Sequence, residues 1–334
     1  MDFVYVVIGE AIIAFCVAFF FLKKYIKLAK DRGFVGKDAH KPNKPEVAEM
    51  GGFAIIFGFL FGIAFAFPFL AQYHYLFLAA ILTVILAAFT GIFDDLFKLR
   101  PINKIILLFI CAIPLVITRL GNTTITLPFF GSLNLGVVYT IVFVPLFVNV
   151  FANMTNFLAG YNGLEAGMGI ITIFYFIIAG ILLNNTFIIA LLIPFLFALI
   201  AFYIFNKYPA KVFPGDVGTL SIGAVIASAA IIGNAESLAI LLCLLYLINF
   251  GLYFIYIFIF KPITNLKDTS ISCVDSKGIL ERQYFDPQKK KIQWHTLYYL
   301  FEHWFYPCTE KKLVTIFLLI QFIINALVIV IYFG

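Results

Sequence analysis

Charge is what this sequence has least of. Only 12% of its 334 residues are Asp, Glu, Lys or Arg, where a soluble domain carries about a quarter. With 63% hydrophobic residues, a soluble globular protein is excluded and an integral membrane protein is indicated. Cysteine is sparse and scattered. Cys16, Cys111, Cys243, Cys273 and Cys308 form no Cys-x-x-Cys pair, so neither a zinc site nor a disulfide framework is indicated. A cleavable leader is also lacking. The first apolar run ends at Lys23-Lys24 without a small-residue cleavage site, and reads as a retained helix.

Long apolar runs are abundant. Those able to cross about 30 Å of hydrocarbon lie near 3–26, 51–70, 74–93, 103–119, 137–156, 165–183, 186–205, 218–234, 236–260 and 312–333. The fold class is therefore an all-α polytopic membrane protein with about ten transmembrane helices. Residues 1–260 hold helices one to nine. Residues 261–310 form a small mixed loop appendage, and 311–334 the last helix.

Basic residues set the orientation. On an alternating ten-helix topology, 22 of the 23 Lys and Arg fall on one side, with Arg119 alone opposite. The positive-inside rule makes that side cytoplasmic. Asp94, Asp95, Glu165, Asp216, Glu46 and Glu49 share it. Segment 120–136 is external, and its β-branched alternation and Gly-Ser predict a small hairpin. Asp275-Ser276-Lys277-Gly278 reads as a turn.

Three polar clusters interrupt the apolar pattern on the cytoplasmic side. The first is Asn156-Phe-Leu-Ala-Gly160-Tyr-Asn162-Gly-Leu-Glu165-Ala-Gly167. It holds asparagines, a glutamate and glycines where lipid-facing sequence would hold Leu or Phe. Such groups are costly unless they line a site. The second is Asp94-Asp95, followed by Lys98, Arg100 and Lys104. Its bland reading is a solvated helix end; its sharper reading is acids holding a phosphate-binding lysine or a metal. The third is Phe213-Pro-Gly-Asp216-Val-Gly, where Asp216 opens a helix and complements its dipole. Oxygen donors such as Asn156 and Asp216 suit Mg²⁺, which takes few protein ligands plus substrate phosphates. The three clusters are expected to form one site. His40 and His303 read as surface residues, and Glu165 as a structural hydrogen-bonding residue.

These motifs carry a resemblance. Gly36-Lys-Asp38, Glu49-Met-Gly-Gly, Asp94-Asp95 with Leu99-Arg100 and Lys104, Gly121-Asn-Thr-Thr-Ile125, the Asn156–Gly167 run and Lys211-Val-Phe-x-Gly-Asp216 occur in this order. The chain resembles the polyprenyl-phosphate N-acetylhexosamine-1-phosphate transferases. Within them it is most similar to the UDP-GlcNAc:dolichyl-phosphate GlcNAc-1-phosphate transferases of eukaryotes and archaea. The resemblance implies transfer of GlcNAc-1-phosphate from UDP-GlcNAc to dolichyl or polyprenyl phosphate, as the first membrane step of glycan assembly such as N-glycosylation. It implies Mg²⁺, with Mn²⁺ as substitute, on Asn156 and Asp216. Lys104 would grip phosphate, with Asp94 and Asp95 as the acid pair. Gly160, Asn162 and Phe213 would form a uracil pocket, and Glu49 a nucleotide contact. Eukaryotic members carry an Arg-x-Arg cluster in the last cytoplasmic loop, whereas residues 267–273 here contain neither Arg nor His. Lys267 or another basic residue of that loop is then expected to hold the pyrophosphate. Expected partners are the two substrates, membrane lipids and a second copy of the chain in a homodimer, with no nucleic acid. An archaeal cell membrane is favoured over the endoplasmic reticulum. The alternatives are another UDP-N-acetylhexosamine donor, a secondary transporter, or an outer-face glycosyltransferase. Polar groups at cytoplasmic helix ends, not at midplane or outside, argue against the last two.

Overall fold

The computed structural model describes residues 2–118, 123–127, 131–257, 274–281, 284–286, 291–292 and 296–334. Nine of the described helices are long and apolar enough to cross a membrane, and a tenth span results if one bent pair counts as one. The protein is thus an all-α, multi-pass integral membrane protein. The helices are α1 (Phe3–Asp31), α2 (Gly52–Ala66), α3 (His74–Phe97), α4 (Pro101–Cys111), α5 (Ile113–Thr118), α6 (Val144–Phe157), α7 (Leu164–Leu182), α8 (Thr186–Asn206), α9 (Gly215–Gly233), α10 (Glu236–Leu242), α11 (Leu244–Ile255), α12 (Leu297–Trp304) and α13 (Glu310–Phe333).

The centre of the bundle is α9. In its most apolar stretch 89% is buried, against 28% for α1 and 22% for α13. Its sequence explains this. Gly218, Gly223 and the four alanines Ala224, Ala227, Ala229 and Ala230 keep its surface narrow, and small residues let apolar helices approach closely when lipid offers no hydrophobic drive for association. It packs against α3, α6, α2 and α8. The outer helices instead present large Phe, Leu and Ile side chains outward, among them Phe20, Phe61, Phe89, Ile106 and Phe322.

Several predicted helix ends move. The third helix continues to Phe97, so Asp94 and Asp95 lie inside its last turn. The fourth begins at Pro101 and breaks at Ala112. The stretch 236–260 is bent by 76° between α10 and α11. The carbonyl of Leu242 at that break accepts a hydrogen bond from Gln321 Nε2 of α13 at 2.8 Å. A buried side-chain amide replaces the missing helical partner, as an apolar interior requires.

The external hairpin forms, with β3 (Thr124–Leu127) antiparallel to β4 (Gly131–Asn134). At the opposite end of the bundle β1 (Val35–Lys37) pairs with β2 (Glu46–Ala48). The turn at Asp275 also forms, closed by Gly278 N–H to the Asp275 carbonyl at 3.0 Å. Asn249 of α11 donates to the Phe157 carbonyl and accepts the Leu297 N–H at 2.9 Å. It thereby ties α12 to the end of α6, beside the polar loop that follows.

Candidate active site

Four helix ends converge beside the β1–β2 pair. Asp94 lies in the last turn of α3, where the peptide dipoles repel a carboxylate. Its environment compensates. Oδ1 accepts the Leu99 N–H at 2.9 Å, and Oδ2 accepts from Lys104 Nζ at 2.8 Å. Lys104, in the first turn of α4, also pairs with Asp216 and lies 3.1 Å from Asn156 Oδ1. Asn156, in the last turn of α6, donates its Nδ2 to Asp216 Oδ1 at 2.7 Å and to Thr219 Oγ1 at 2.8 Å. The ammonium has no acceptor, so the amide oxygen must face it. Residues from α3, α4, α6 and α9 thus share one hydrogen-bonded cluster, as the sequence predicts.

Asp95 does something different from Asp94. Its Oδ1 accepts the Asp216 N–H at 3.0 Å, and its Oδ2 lies 3.5 Å from the Val217 N–H. It caps the free donors at the start of α9. Two glycines allow this approach. A Cβ on Gly91 would collide with the Asp216 backbone. Gly215 adopts φ +65° against the Asp95 carboxylate. The adjacent acids therefore part: one faces the lysine, the other positions the helix that carries Asp216.

A cavity of about 220 Å³ opens beside the cluster, lined among others by Gly160, Tyr161, Glu165, Phe213, Asp216 and Thr219. Phe213 is half-buried in its wall. Its backbone is fixed on both sides, by Gly51 N–H to its carbonyl at 2.8 Å and by its own N–H to Ala48 O at 2.7 Å. Glu49 is exposed beside this ladder, and its carbonyl accepts the Tyr25 hydroxyl at 2.8 Å. Glu165 lines the same cavity. It is 5% exposed, and its Oε2 has no hydrogen-bond partner among the described residues. Lys267 lies outside the described residues.

Behind the cavity is a second lysine cluster. Lys41 Nζ pairs with Asp38 at 3.2 Å and with Glu310, and lies 3.5 Å from Asn162 Oδ1. It also lies 4.1 Å from the centre of the Tyr208 ring. Asn162 is 3% exposed, its N–H donates to Glu310 Oε1 at 2.7 Å, and its Oδ1 accepts the Ala210 N–H at 2.7 Å. His40 is a half-buried residue rather than a surface one, stacked 4.4 Å from Tyr161. Burial, partly opposed by Asp38 and reinforced by Lys41, lowers its pKa to about 4. Donor atoms of Asp38, His40 and Glu310 lie within 4.8 Å of one another. The Lys41 ammonium already pairs with both acids, whose side chains are only 3% and 2% exposed, so this group is closed to an arriving metal.

The Lys104 cluster does fit a divalent cation. Asp216 and the Asn156 oxygen already converge on a cation, the Lys104 ammonium. With both acids ionised, Asp94, Asp216 and Lys104 sum to −1, so an arriving pyrophosphate meets net repulsion. Unit charges about 4 Å apart interact by about 4 kcal/mol at an effective dielectric of about 20. Hard carboxylate and amide oxygens beside an open cavity are the donors Mg²⁺ accepts, with phosphate completing its shell.

Sequence reasoning missed Thr219, Lys41 and Glu310. Thr219 was accessible, since it lies three residues after Asp216 on one helical face. Glu310 was not, because it stands 269 residues from its partner Lys41.

Comparisons with known proteins identify the family. The profile of glycosyl transferase family 4 matches residues 77–234. A protein of Saccharolobus solfataricus is 36% identical over 84% of each chain, and is provisionally named a UDP-N-acetylglucosamine–dolichyl-phosphate N-acetylglucosaminephosphotransferase. The Saccharomyces cerevisiae protein of that name is 32% identical over 52% of this chain and 43% of its own. A phospho-N-acetylmuramoyl-pentapeptide-transferase of Dictyoglomus turgidum is 33% identical over 77% of this chain and 84% of its own.

Proposed function

The chain belongs to glycosyl transferase family 4, and from that premise we propose that it transfers N-acetylglucosamine-1-phosphate from UDP-GlcNAc to dolichyl phosphate, releasing UMP. The relatives' names support the reaction class and this donor. The observation that carries it is the Lys104 cluster, where an ammonium, two carboxylates and an amide oxygen meet beside the cavity that Phe213 walls. We assign this end to the cytoplasmic side because nearly all Lys and Arg lie there, and the membrane to an archaeal cell.

The residues divide the work as follows. Phe213 and Gly160 offer a flat wall and an open backbone for the uracil. Asn156 and Asp216 would hold Mg²⁺, which supplies charge neutralisation at the pyrophosphate. Lys104, freed from part of its ion pairing, draws in the lipid phosphate. A phosphate monoester has its second pKa near about 6 and is largely dianionic at neutral pH, so it needs no base to attack. Transfer then depends on positioning and charge stabilisation. The acids support direct displacement over a covalent intermediate. Both oxygens of Asp94 are engaged by Leu99 and Lys104, and those of Asp95 face the α9 backbone. Neither presents a free nucleophile.

The test is purified protein with Mg²⁺, dolichyl phosphate and a panel of UDP-sugars. UMP should be released with UDP-GlcNAc and not without lipid phosphate. Labelled UMP should not exchange into UDP-GlcNAc in lipid-free enzyme. Preference for a different UDP-N-acetylhexosamine would correct the sugar, and no UMP from any donor would reject the reaction.

A further inference from the structure

Asn156 offers an oxygen to a cation only while its amide is turned one way. Three neighbours among the described residues hold it so. Lys104 Nζ stands 3.1 Å from Oδ1, and Nδ2 donates to Asp216 Oδ1 at 2.7 Å and to Thr219 Oγ1 at 2.8 Å. Two of these neighbours change partners in the proposed reaction. Lys104 turns to a phosphate, and Asp216 turns its oxygens to a metal. The two ends of an asparagine amide differ little in size, so sterics alone would not keep the oxygen outward. Thr219 is the neighbour that carries no charge and stays.

The Thr219 hydroxyl acts there as the acceptor. It lies against backbone carbonyls of its own helix, Gly215 O at 3.3 Å and Asp216 O at 3.4 Å. A carbonyl only accepts, so the hydroxyl hydrogen points at the backbone and a lone pair is left for Asn156. The place of the hydroxyl is fixed as well. Thr219 is 1% exposed, and its carbonyl accepts from Thr155 Oγ1 of α6 at 2.7 Å. One turn further along α9, a Cβ on Gly223 would collide with the Phe151 backbone. Helices α6 and α9 are thus locked together beside Asn156.

Resting on the metal site within the function proposed above, we propose that Thr219 is a positioning residue for that site. Hydrogen-bond polarity runs from the Gly215 carbonyl through the Thr219 hydroxyl to the Asn156 amide. It keeps Oδ1 toward the cation after Lys104 and Asp216 have changed partners. Thr219 does not itself ligate the metal; it acts through Asn156. Losing such an outer partner lowers metal affinity by about 10–100-fold in general.

The experiment measures Mn²⁺ binding by electron paramagnetic resonance, with UDP present and lipid phosphate absent so that nothing turns over. It compares wild type, Thr219→Ser and Thr219→Val. Thr219→Val, similar in size but without an acceptor, should weaken Mn²⁺ about tenfold, and excess Mg²⁺ should restore most of its turnover. Thr219→Ser keeps the hydroxyl and should bind Mn²⁺ as wild type does. If Thr219→Val does not fold, Thr219→Ala removes the same acceptor and decides in its place. Unchanged Mn²⁺ affinity without the hydroxyl, whatever the melting temperature, would overturn the inference and leave the metal site intact. Wild-type protein whose UDP complex binds no Mn²⁺ would instead overturn the metal assignment on which it rests.

Discussion

Two lysines in this protein have nearly the same neighbours and opposite surroundings. Lys104 pairs with Asp94 and Asp216 and faces the amide oxygen of Asn156. Lys41 pairs with Asp38 and Glu310 and faces the amide oxygen of Asn162. The carboxylates around Lys104 are 18% and 25% exposed, whereas those around Lys41 are 3% and 2% exposed. An ion pair open to a cavity can exchange its partners for a ligand. One sealed inside cannot, because removing either partner strands a buried charge. The first cluster is therefore the one open to a ligand and the second the one closed to it, although their side-chain inventories scarcely differ.

The contrast fails if the open cluster is merely structural. Asp216→Ala is the hardest test and should give the largest effect. UMP release should fall by about 10³-fold or more, as when a group acting on developing charge is removed, with the melting temperature nearly unchanged. An active Asp216→Ala variant would return Asp216 to a helix-capping role.

Within the open cluster the two adjacent acids should separate. Asp94→Asn should lower kcat by about 10²-fold, since Lys104 loses one of its two ion-pair partners. Asp95→Ala should act first on stability, by about 1 kcal/mol, as loss of an N-terminal helix cap does. Equal kinetic defects with equal stability in the two variants would mean that the acids act as one unit.

Phe213 lies in the cavity wall between the clusters. Phe213→Ala should raise the UDP-GlcNAc KM about tenfold, within the range of about 1–3 kcal/mol for a base stacked on an aromatic ring, and change kcat little. A lower melting temperature with unchanged KM would make it a packing residue.

The smallest effect concerns His40, beside the sealed cluster. Its pKa falls from the usual 6.5 to about 4 because it is buried. The unfolded chain thus takes up the proton first as pH drops. Stability from this group is complete above about 6.5, is lost progressively toward about 4, and is flat below that. Replacing His40 by Asn should remove that part of the pH dependence in a thermal melt, and an unchanged slope between those values would remove His40 from the account.

Much of this was legible before any tertiary structure. The low charge and long apolar runs determined a multi-pass membrane protein, because a span must satisfy its backbone internally and bury few charges. Asn156, Lys104, Asp94 and Asp216 announced themselves because each is a polar residue at the end of an apolar run, where only a function or a partner justifies it. The same reasoning could not separate Asp94 from Asp95. They are neighbours in sequence, and which of them faces Lys104 depends on their angle around α3 and on the close approach of α9 at Gly91. Nor could it find the Lys41 clamp. Asp38, Lys41 and Glu310 look like ordinary solvated charges one at a time, and they become a buried unit only when the first loop and the last helix meet. Sequence alone determined where polar groups were too costly to be accidental. The tertiary structure decided which of them share a proton donor, since that depends on which helix ends pack together and on how tightly.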